Sequence, residues 1–144
     1  MSNTDIVKAG MAAWCSGDWA TLSATSTDDF TLTGVTPQPL DKNAFLGLGH
    51  ALISAFPDWN FNAEDFSENG DTVSVTTRIT GTHTGTLAAI PGVPPVPATG
   101  KHVTNGQETQ TYTIRDGKIS RLDIQVEPGG GVAGMYAQVG APLG

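Results

Sequence analysis

The sequence predicts an α+β fold, in which three N-terminal helices precede a curved antiparallel sheet, and three observations carry that expectation. The first half holds two apolar stripes at helical spacing, Val7, Met11 and Trp14, then Phe45, Leu48, Leu52 and Phe56. The second half is dominated by Thr, Val and Ile, which suit a pleated surface. Within it, Asn69-Gly70 and Asp116-Gly117 fall at hairpin spacing. The 144 residues have the length of one domain, expected over residues 1–144. With 38% hydrophobic residues and 18 glycines, they can bury a core that still encloses a cavity.

The first helix runs from Asn3 to Ser16, with Asn3 and Thr4 as candidate caps and Gly17 as its stop. A short second helix starts at Asp18 and includes Trp19 and Leu22, and a brief strand around Phe30 and Leu32 ends at Gly34. Asp41 caps the third helix, and Pro57 ends it because proline lacks an amide hydrogen and restricts the residue before it. The run Trp59 to Ser67 is expected to pair with Asp71 to Thr84, and Gln107 to Arg115 with Lys118 to Val126. Between the hairpins lies IPGVPPVPATGK, whose prolines cannot join a ladder, so it reads as a stiff loop or a lid. A short last helix is expected from Val132 to Val139. Helices can cover only one face of such a sheet, so the other face is expected to meet a second copy in a homodimer.

Charge narrows the partners. Seven Lys and Arg against 14 Asp and Glu give a net charge of −7, which repels nucleic-acid phosphates and anionic lipid. No nucleic acid and no membrane are therefore expected as partners. The opening segment lacks the basic and apolar runs of a signal peptide, and no stretch reaches the ~20 residues of a membrane span. The single cysteine, Cys15, cannot form an internal bridge, so the cytoplasm is the expected location.

A two-residue turn at Asp116-Gly117 sets a register in which Arg115 opposes Lys118 and Ile114 opposes Ile119. Continued without a bulge, it pairs Tyr112 with Arg121, Gln110 with Asp123 and Glu108 with Gln125, with Glu127 in line at the end. That face reads as a polar pocket floor. The alternative is that it is solvated and the Thr/Ile face lies beneath the helices; a slipped register would change both readings.

Several short motifs occur in one order: Ala55-Phe56-Pro57-Asp58 followed by Trp59-Asn60-Phe61, Gly70-Asp71-x-Val73, Gly81-Thr82-His83-Thr84-Gly85, Thr99-Gly100-Lys101, Asp116-Gly117-Lys118-Ile119 and Gln138-Val139-Gly140. Their order and spacing resemble the SnoaL-like polyketide cyclases and ester cyclases of the nuclear transport factor 2-like superfamily, from the Gly17-Asp18 turn to Gly140. The resemblance implies a cystatin-like curved sheet and helices around a conical pocket, in dimers or larger assemblies. It also implies a cofactor-free intramolecular aldol reaction, with an acid on the last strand removing a proton next to a carbonyl. Counted from Gly117-Lys118-Ile119 the acid is Glu127; counted back from Gln138-Val139-Gly140 the position is Gly131. The difference lies in Pro128 to Gly131, and continuous strand register favours Glu127.

A carboxylate can serve as the base only if burial or a like charge raises its pKa, and Glu108 and Asp123 are placed to do this for Glu127, whereas Arg121 opposes it. An exposed strand-end carboxylate is the plainer reading of Glu127. His83 shares strand parity with Val73, Val75 and Ile79, so it either donates to a substrate oxygen or is a hydrogen-bonded structural histidine. Tyr112 either supplies a phenol to an oxyanion or only packs. His50 lies near the Phe45 and Leu52 face of the third helix, at the pocket or on the surface. Trp14, Trp59 and Phe61 line the cavity or form plain core, and Glu108, Gln110, Arg121 and Asp123 complete the binding set.

Gly129-x-Gly131-x-x-Gly134 matches the dinucleotide fingerprint, but the chain ends before the parallel strand and acid that the motif requires. Three scattered histidines give no metal motif, and Cys15 has no activating partner. No metal and no cofactor are expected. The leading expectation is therefore a cyclase or isomerase acting on a small apolar carbonyl compound through Glu127, helped by His83 or Tyr112. The rivals are an epoxide-hydrolase-like site that orients water between Arg121, Asp123 and Glu108, and a non-catalytic binding domain.

Overall fold

The first helix, α1 (Asn3–Ser16), is opened by a reciprocal cap one residue earlier than expected: the Asp5 amide donates to Ser2 Oγ at 3.1 Å and the Ser2 amide to Asp5 Oδ2 at 3.3 Å. Gly17 ends it in the left-handed conformation that L side chains avoid. This is a computed structural model that describes residues 2–143. After α2 (Trp19–Ala24) come β1 (Ser26–Thr33), β2 (Leu40–Asp41) and α3 (Lys42–Ala55), the last capped by Asp41 Oδ1, which accepts from the Ala44 amide at 2.9 Å. The second half supplies β3 (Glu64–Asn69), β4 (Thr72–Thr77), β5 (Thr80–Thr82), β6 (His102–Thr104), β7 (Glu108–Arg115), β8 (Lys118–Val126) and α4 (Gly131–Gln138).

Six strands form one sheet in the order β2-β1-β8-β7-β4-β3, and β5 pairs with β6 beside it. The sheet is mixed rather than wholly antiparallel, because β1 lies parallel to β8. The chain leaves β1 through α3 and returns through two hairpins, which bring its last strand alongside its first in the same direction. The first hairpin is shorter than expected and turns one residue later. Asn69 opposes Thr72, so Gly70 and Asp71 make the turn, and Gly70 provides the positive φ of 61°. Asn62, before β3, takes a positive φ of 47°, and Asp65, within it, one of 58°, where the register shifts between Glu64 and Ser67. Upstream of Asn62 only a single bridge, Asn60 to Thr80, continues the pairing.

The second hairpin holds the register that matters. Asp116 and Gly117 both have positive φ, at 53° and 74°, as a two-residue turn requires, and Arg115 opposes Lys118 and Ile114 opposes Ile119 as expected. Ser120 then bulges, its hydroxyl donating to the Thr113 carbonyl at 3.1 Å, and Arg121 becomes the partner of Thr113. From there the pairs are Tyr112 with Leu122, Gln110 with Ile124 and Glu108 with Val126. The expected face of Tyr112/Arg121, Gln110/Asp123 and Glu108/Gln125 is thereby corrected. Side chains alternate across a strand, so one inserted residue sends Arg121, Asp123 and Gln125 to the far side of the sheet.

The core fills the space between sheet and helices. Val7, Met11 and Trp14 of α1 and Phe45 and Leu52 of α3 are buried against Phe30, Leu32, Val73, Val75 and Leu122 of the sheet. Burial of each such side chain contributes ~1.5–3 kcal/mol to stability. Gly34, just after β1, has φ 93°, and a Cβ there would lie 1.8 Å from the Ile124 carbonyl oxygen. We expect Gly34→Ala to lower stability by roughly 3 kcal/mol or more in urea denaturation, because the left-handed strain and a backbone clash add. An unchanged midpoint would mean that β1 and β8 do not approach as described.

Candidate active site

Glu108, Gln110 and Tyr112 alternate along β7 and share its inner face, where all three are buried. The strand lies between β4 and β8, whose facing positions are mostly apolar: Tyr112 sits between Val73 and Leu122, Gln110 between Val75 and Ile124, and Glu108 between Thr77 and Val126. Above them α1, α2 and α3 close a cavity of about 200 Å³ whose lining is chiefly aliphatic and aromatic. Trp14 organises the roof, its ring centroid 5.6 Å from Phe45 and 5.8 Å from Trp59. Gly49 of α3 makes room for it: a Cβ there would lie 2.8 Å from Trp14 Cζ3.

Glu108 is the only carboxyl among the described residues that line this cavity. Burial among apolar neighbours pushes its pKa up from the usual carboxylate range, and the Gln110 side chain, by hydrogen bonding to it, opposes the shift. The Tyr112 hydroxyl donates to Gln110 Oε1 at 2.5 Å, which turns the Gln110 amide nitrogen toward Glu108. Burial, with the Glu108 charge second, pushes the Tyr112 phenol up, so it stays protonated and acts as a donor. Phenol and amide are hydrogen-bonded, and the Glu108 carboxyl lies next along the same face of β7. Trp14 and Trp59 line the cavity, and their indole Nε1 atoms are buried with no acceptor among the described residues. Ser26 lines the cavity too, but its hydroxyl donates to the Leu22 carbonyl at 2.8 Å.

Six residues singled out in the sequence thus meet at the cavity: Trp14, Trp59, Phe61, Glu108, Gln110 and Tyr112. Five do not. Glu127 follows the end of β8, is exposed, and packs over Gly106. Arg121 and Asp123 lie on the far side of the bulged strand, where the guanidinium donates to the carboxylate at 2.9 Å and Thr33 bonds the same carboxylate. The carboxylate and arginine set of the hydrolytic reading is therefore not gathered. His50 is exposed and leans on Trp19, 6.0 Å between ring centroids.

His83 is buried, but outside the cavity, and is tied to the base of the proline-rich loop. Its Nδ1 lies 2.8 Å from Thr99 Oγ1 and accepts the Thr99 amide at 3.3 Å, which places the ring hydrogen on Nε2. Burial holds its pKa below the ordinary histidine value. Its observed contacts are those of a structural histidine. The residues missed in sequence are those of α4 and the glycines before it: Gly130, Gly131, Val132 and Met135 close one end of the cavity. The short helix was legible, but nothing in its composition pointed to the site.

A six-stranded curved sheet with helices folded over one face around an apolar cavity is a fold of the nuclear transport factor 2-like kind. The sequence profile of the SnoaL-like domain matches residues 7–122, and the chain belongs to that family. The fold is similar to a protein from Jannaschia sp. CCS1 described provisionally as a SnoaL-like polyketide cyclase, with 22% identity, TM-score 0.73 and coverage of 97% of this chain and 93% of that one. It is also similar to IdmH of Streptomyces antibioticus, provisionally a polyketide cyclase, with 24% identity, TM-score 0.73 and coverage of 97% and 99%. An NTF2-like protein of unknown function from Cytophaga hutchinsonii ATCC 33406 aligns at 13% identity and TM-score 0.62, covering 89% and 92%. At these identities the likeness concerns the fold. Comparison with curated protein sequences finds no significant match. No helix among the described residues is long and apolar enough to cross a membrane.

The raised pKa of Glu108 makes stability depend on pH in a definite direction. The folded state holds this proton more tightly than the unfolded chain, so the contribution is fully present below the unfolded carboxyl pKa and is lost as pH rises through the folded one. Glu108→Gln should therefore raise the thermal midpoint by roughly 2–4 °C at pH 8 and change it little at pH 4. Calorimetry at the two pH values measures this, and equal effects at both would deny the burial of the acid.

Proposed function

We propose that the protein is a cofactor-free acid-base enzyme of the cyclase or isomerase type, which abstracts a proton next to the carbonyl of a small apolar compound with Glu108 as base. The observation that supports this reading most is the placement of one buried carboxyl in an otherwise apolar cavity. Desolvation raises its proton affinity toward the neutral range, where a base for an activated carbon acid is most effective. Glu108 takes the role that the sequence suggested for Glu127, and the SnoaL-like resemblance supports the reaction class.

In this mechanism the substrate carbon sits against Glu108 while apolar walls exclude water. Gln110 holds the carboxyl in one orientation, itself held by the Tyr112 hydroxyl. Glu108 removes the α-proton, and the negative charge moves to the carbonyl oxygen. Trp14 and Trp59 line the same cavity, and their indole N–H groups, which have no acceptor among the described residues, would have to turn toward that oxygen to donate to it. The enolate carbon then attacks an electrophilic carbon of the same molecule or is reprotonated at another position, and Glu108 returns the proton in either case.

The test needs no knowledge of the natural substrate. Exchange of α-hydrogens of simple cyclic ketones in D2O, followed by NMR, should be accelerated by the protein, and Glu108→Gln should reduce that acceleration by about 10²–10⁴-fold. Glu127→Gln should leave it unchanged. Loss of exchange in the Glu127 variant instead of the Glu108 variant would overturn the assignment. Ligand binding with no exchange at all would leave a binding domain.

We also propose that two copies pair through the outer face of the sheet. Along β7, buried Glu108, Gln110, Tyr112 and Ile114 alternate with half-buried Thr109, Thr111 and Thr113 on the outer face, and beside them on β8 Arg121 and Asp123 neutralise each other as an ion pair, so a second copy would cover threonines and a paired charge. Thr111→Arg should convert the dimer to a monomer in sedimentation velocity, and a wild-type protein already monomeric would remove this proposal.

A further inference from the structure

The inner cavity is not closed on all sides. At Val35, Leu48, Val132 and Ala133 its lining is shared with a second, outer groove of about 800 Å³. One wall of the groove is α3, which presents Ala44, Gly47 and Ala51 at spacings of three and four, and the facing wall is the proline-rich loop around Ile90, Pro91 and Val93. None of the described residues lining it is charged, although the chain carries 14 acidic and 7 basic residues. The loop wall is held in place from two sides. The Tyr136 hydroxyl accepts the Ala89 amide at 3.0 Å, and Leu87 and Val96 pair across the loop at 2.9 Å in both directions.

We propose that this groove is a second subsite for the same ligand, which is an elongated molecule with a compact oxygenated head in the inner cavity and a slender apolar tail along α3 beneath the loop. The inference rests on the proposed reading for the head, since Glu108 and Gln110 are the polar side chains that would receive it. The tail follows from continuity and chemistry. A ligand longer than the inner cavity that leaves it past Val35, Leu48, Val132 and Ala133 meets only uncharged surface already in position. Burying the tail there contributes roughly threefold to fourfold in affinity per methylene, whereas a charged tail would lose its hydration and find no partner. Leu48, which faces both spaces, and Gly47, which leaves the groove open, would then determine the length of ligand accepted.

Gly47 also supplies the experiment. A Cβ at this position meets nothing within 4 Å, so Gly47→Phe projects a ring into the groove without disturbing the packing of α3, and leaving Gly favours the helix. Ala44→Phe, one turn earlier on the same side, is the second variant. The probes are straight-chain methyl ketones from 2-heptanone to 2-tridecanone, read by fluorescence of Trp14 and Trp59 at the inner cavity. In the wild type, affinity should rise with each added methylene. In Gly47→Phe, 2-heptanone should bind as before while 2-tridecanone falls by at least about tenfold, toward the short ketone.

Affinity independent of chain length in the wild type, or an undiminished rise with length in both variants, would overturn the subsite. So would a change of mass in sedimentation with unaltered ketone binding, because the groove would then be a contact between copies. Glu108→Gln should abolish proton exchange yet keep the length dependence, so the reaction and the tail subsite fail separately.

Discussion

The chemistry of this protein depends on the desolvation of one carboxyl. Glu108 opens β7, an inner strand of the sheet, where it is buried and its strand neighbours Val126 and Thr77 offer no cation. A carboxylate so placed is destabilised relative to its acid, and the neighbouring Gln110 side chain, held by the Tyr112 hydroxyl, opposes that shift only in part. The same isolation that costs stability leaves the group poised to exchange a proton with a carbon acid. Stability and proposed activity therefore respond to Glu108 in opposite senses, as expected where a site is built at the expense of the fold.

The isolation is itself a product of strand geometry. Without the bulge at Ser120, Arg121 and Asp123 would face the cavity beside Tyr112 and Gln110, and a guanidinium there would draw the Glu108 pKa down. The Ser120 hydroxyl, bonded to the Thr113 carbonyl, keeps that ion pair outside. One hydroxyl thus keeps an ion pair on the outer face of the sheet and a dry surface on the inner one.

Much of this was legible in the sequence, and the rest was lost for identifiable reasons. Helices were marked by apolar period, by the Asp41 cap and by Pro57, and the second hairpin by Asp116-Gly117, because each of these acts over a few neighbouring residues. The cavity residues Trp14, Trp59, Phe61, Gln110 and Tyr112 followed from size and strand parity. The bulge did not, since Ser120 is an ordinary strand residue and its effect shows only when Arg121 and Asp123 are found on the wrong side. Glu127 was favoured by counting along a regular strand, and the count passes the bulge unseen. His83 has the parity of buried residues and is buried, but parity does not distinguish the cavity side from the loop that Thr99 ties to it. The contribution of α4 was hidden because it closes the cavity through glycines and two aliphatic side chains, with no feature that separates them from plain core.

The tether between the Tyr136 hydroxyl and the amide of Ala89 has a further consequence. It isolates the tip of the proline-rich segment from the sheet mechanically, because Leu87 and Val96 brace the segment at its neck. Insertions or deletions between those two residues can change the depth of the outer wall while the acid on the central strand keeps its surroundings. A lineage of such proteins can therefore exchange one ligand for another by editing a few codons of loop, with the proton-transfer apparatus inherited intact.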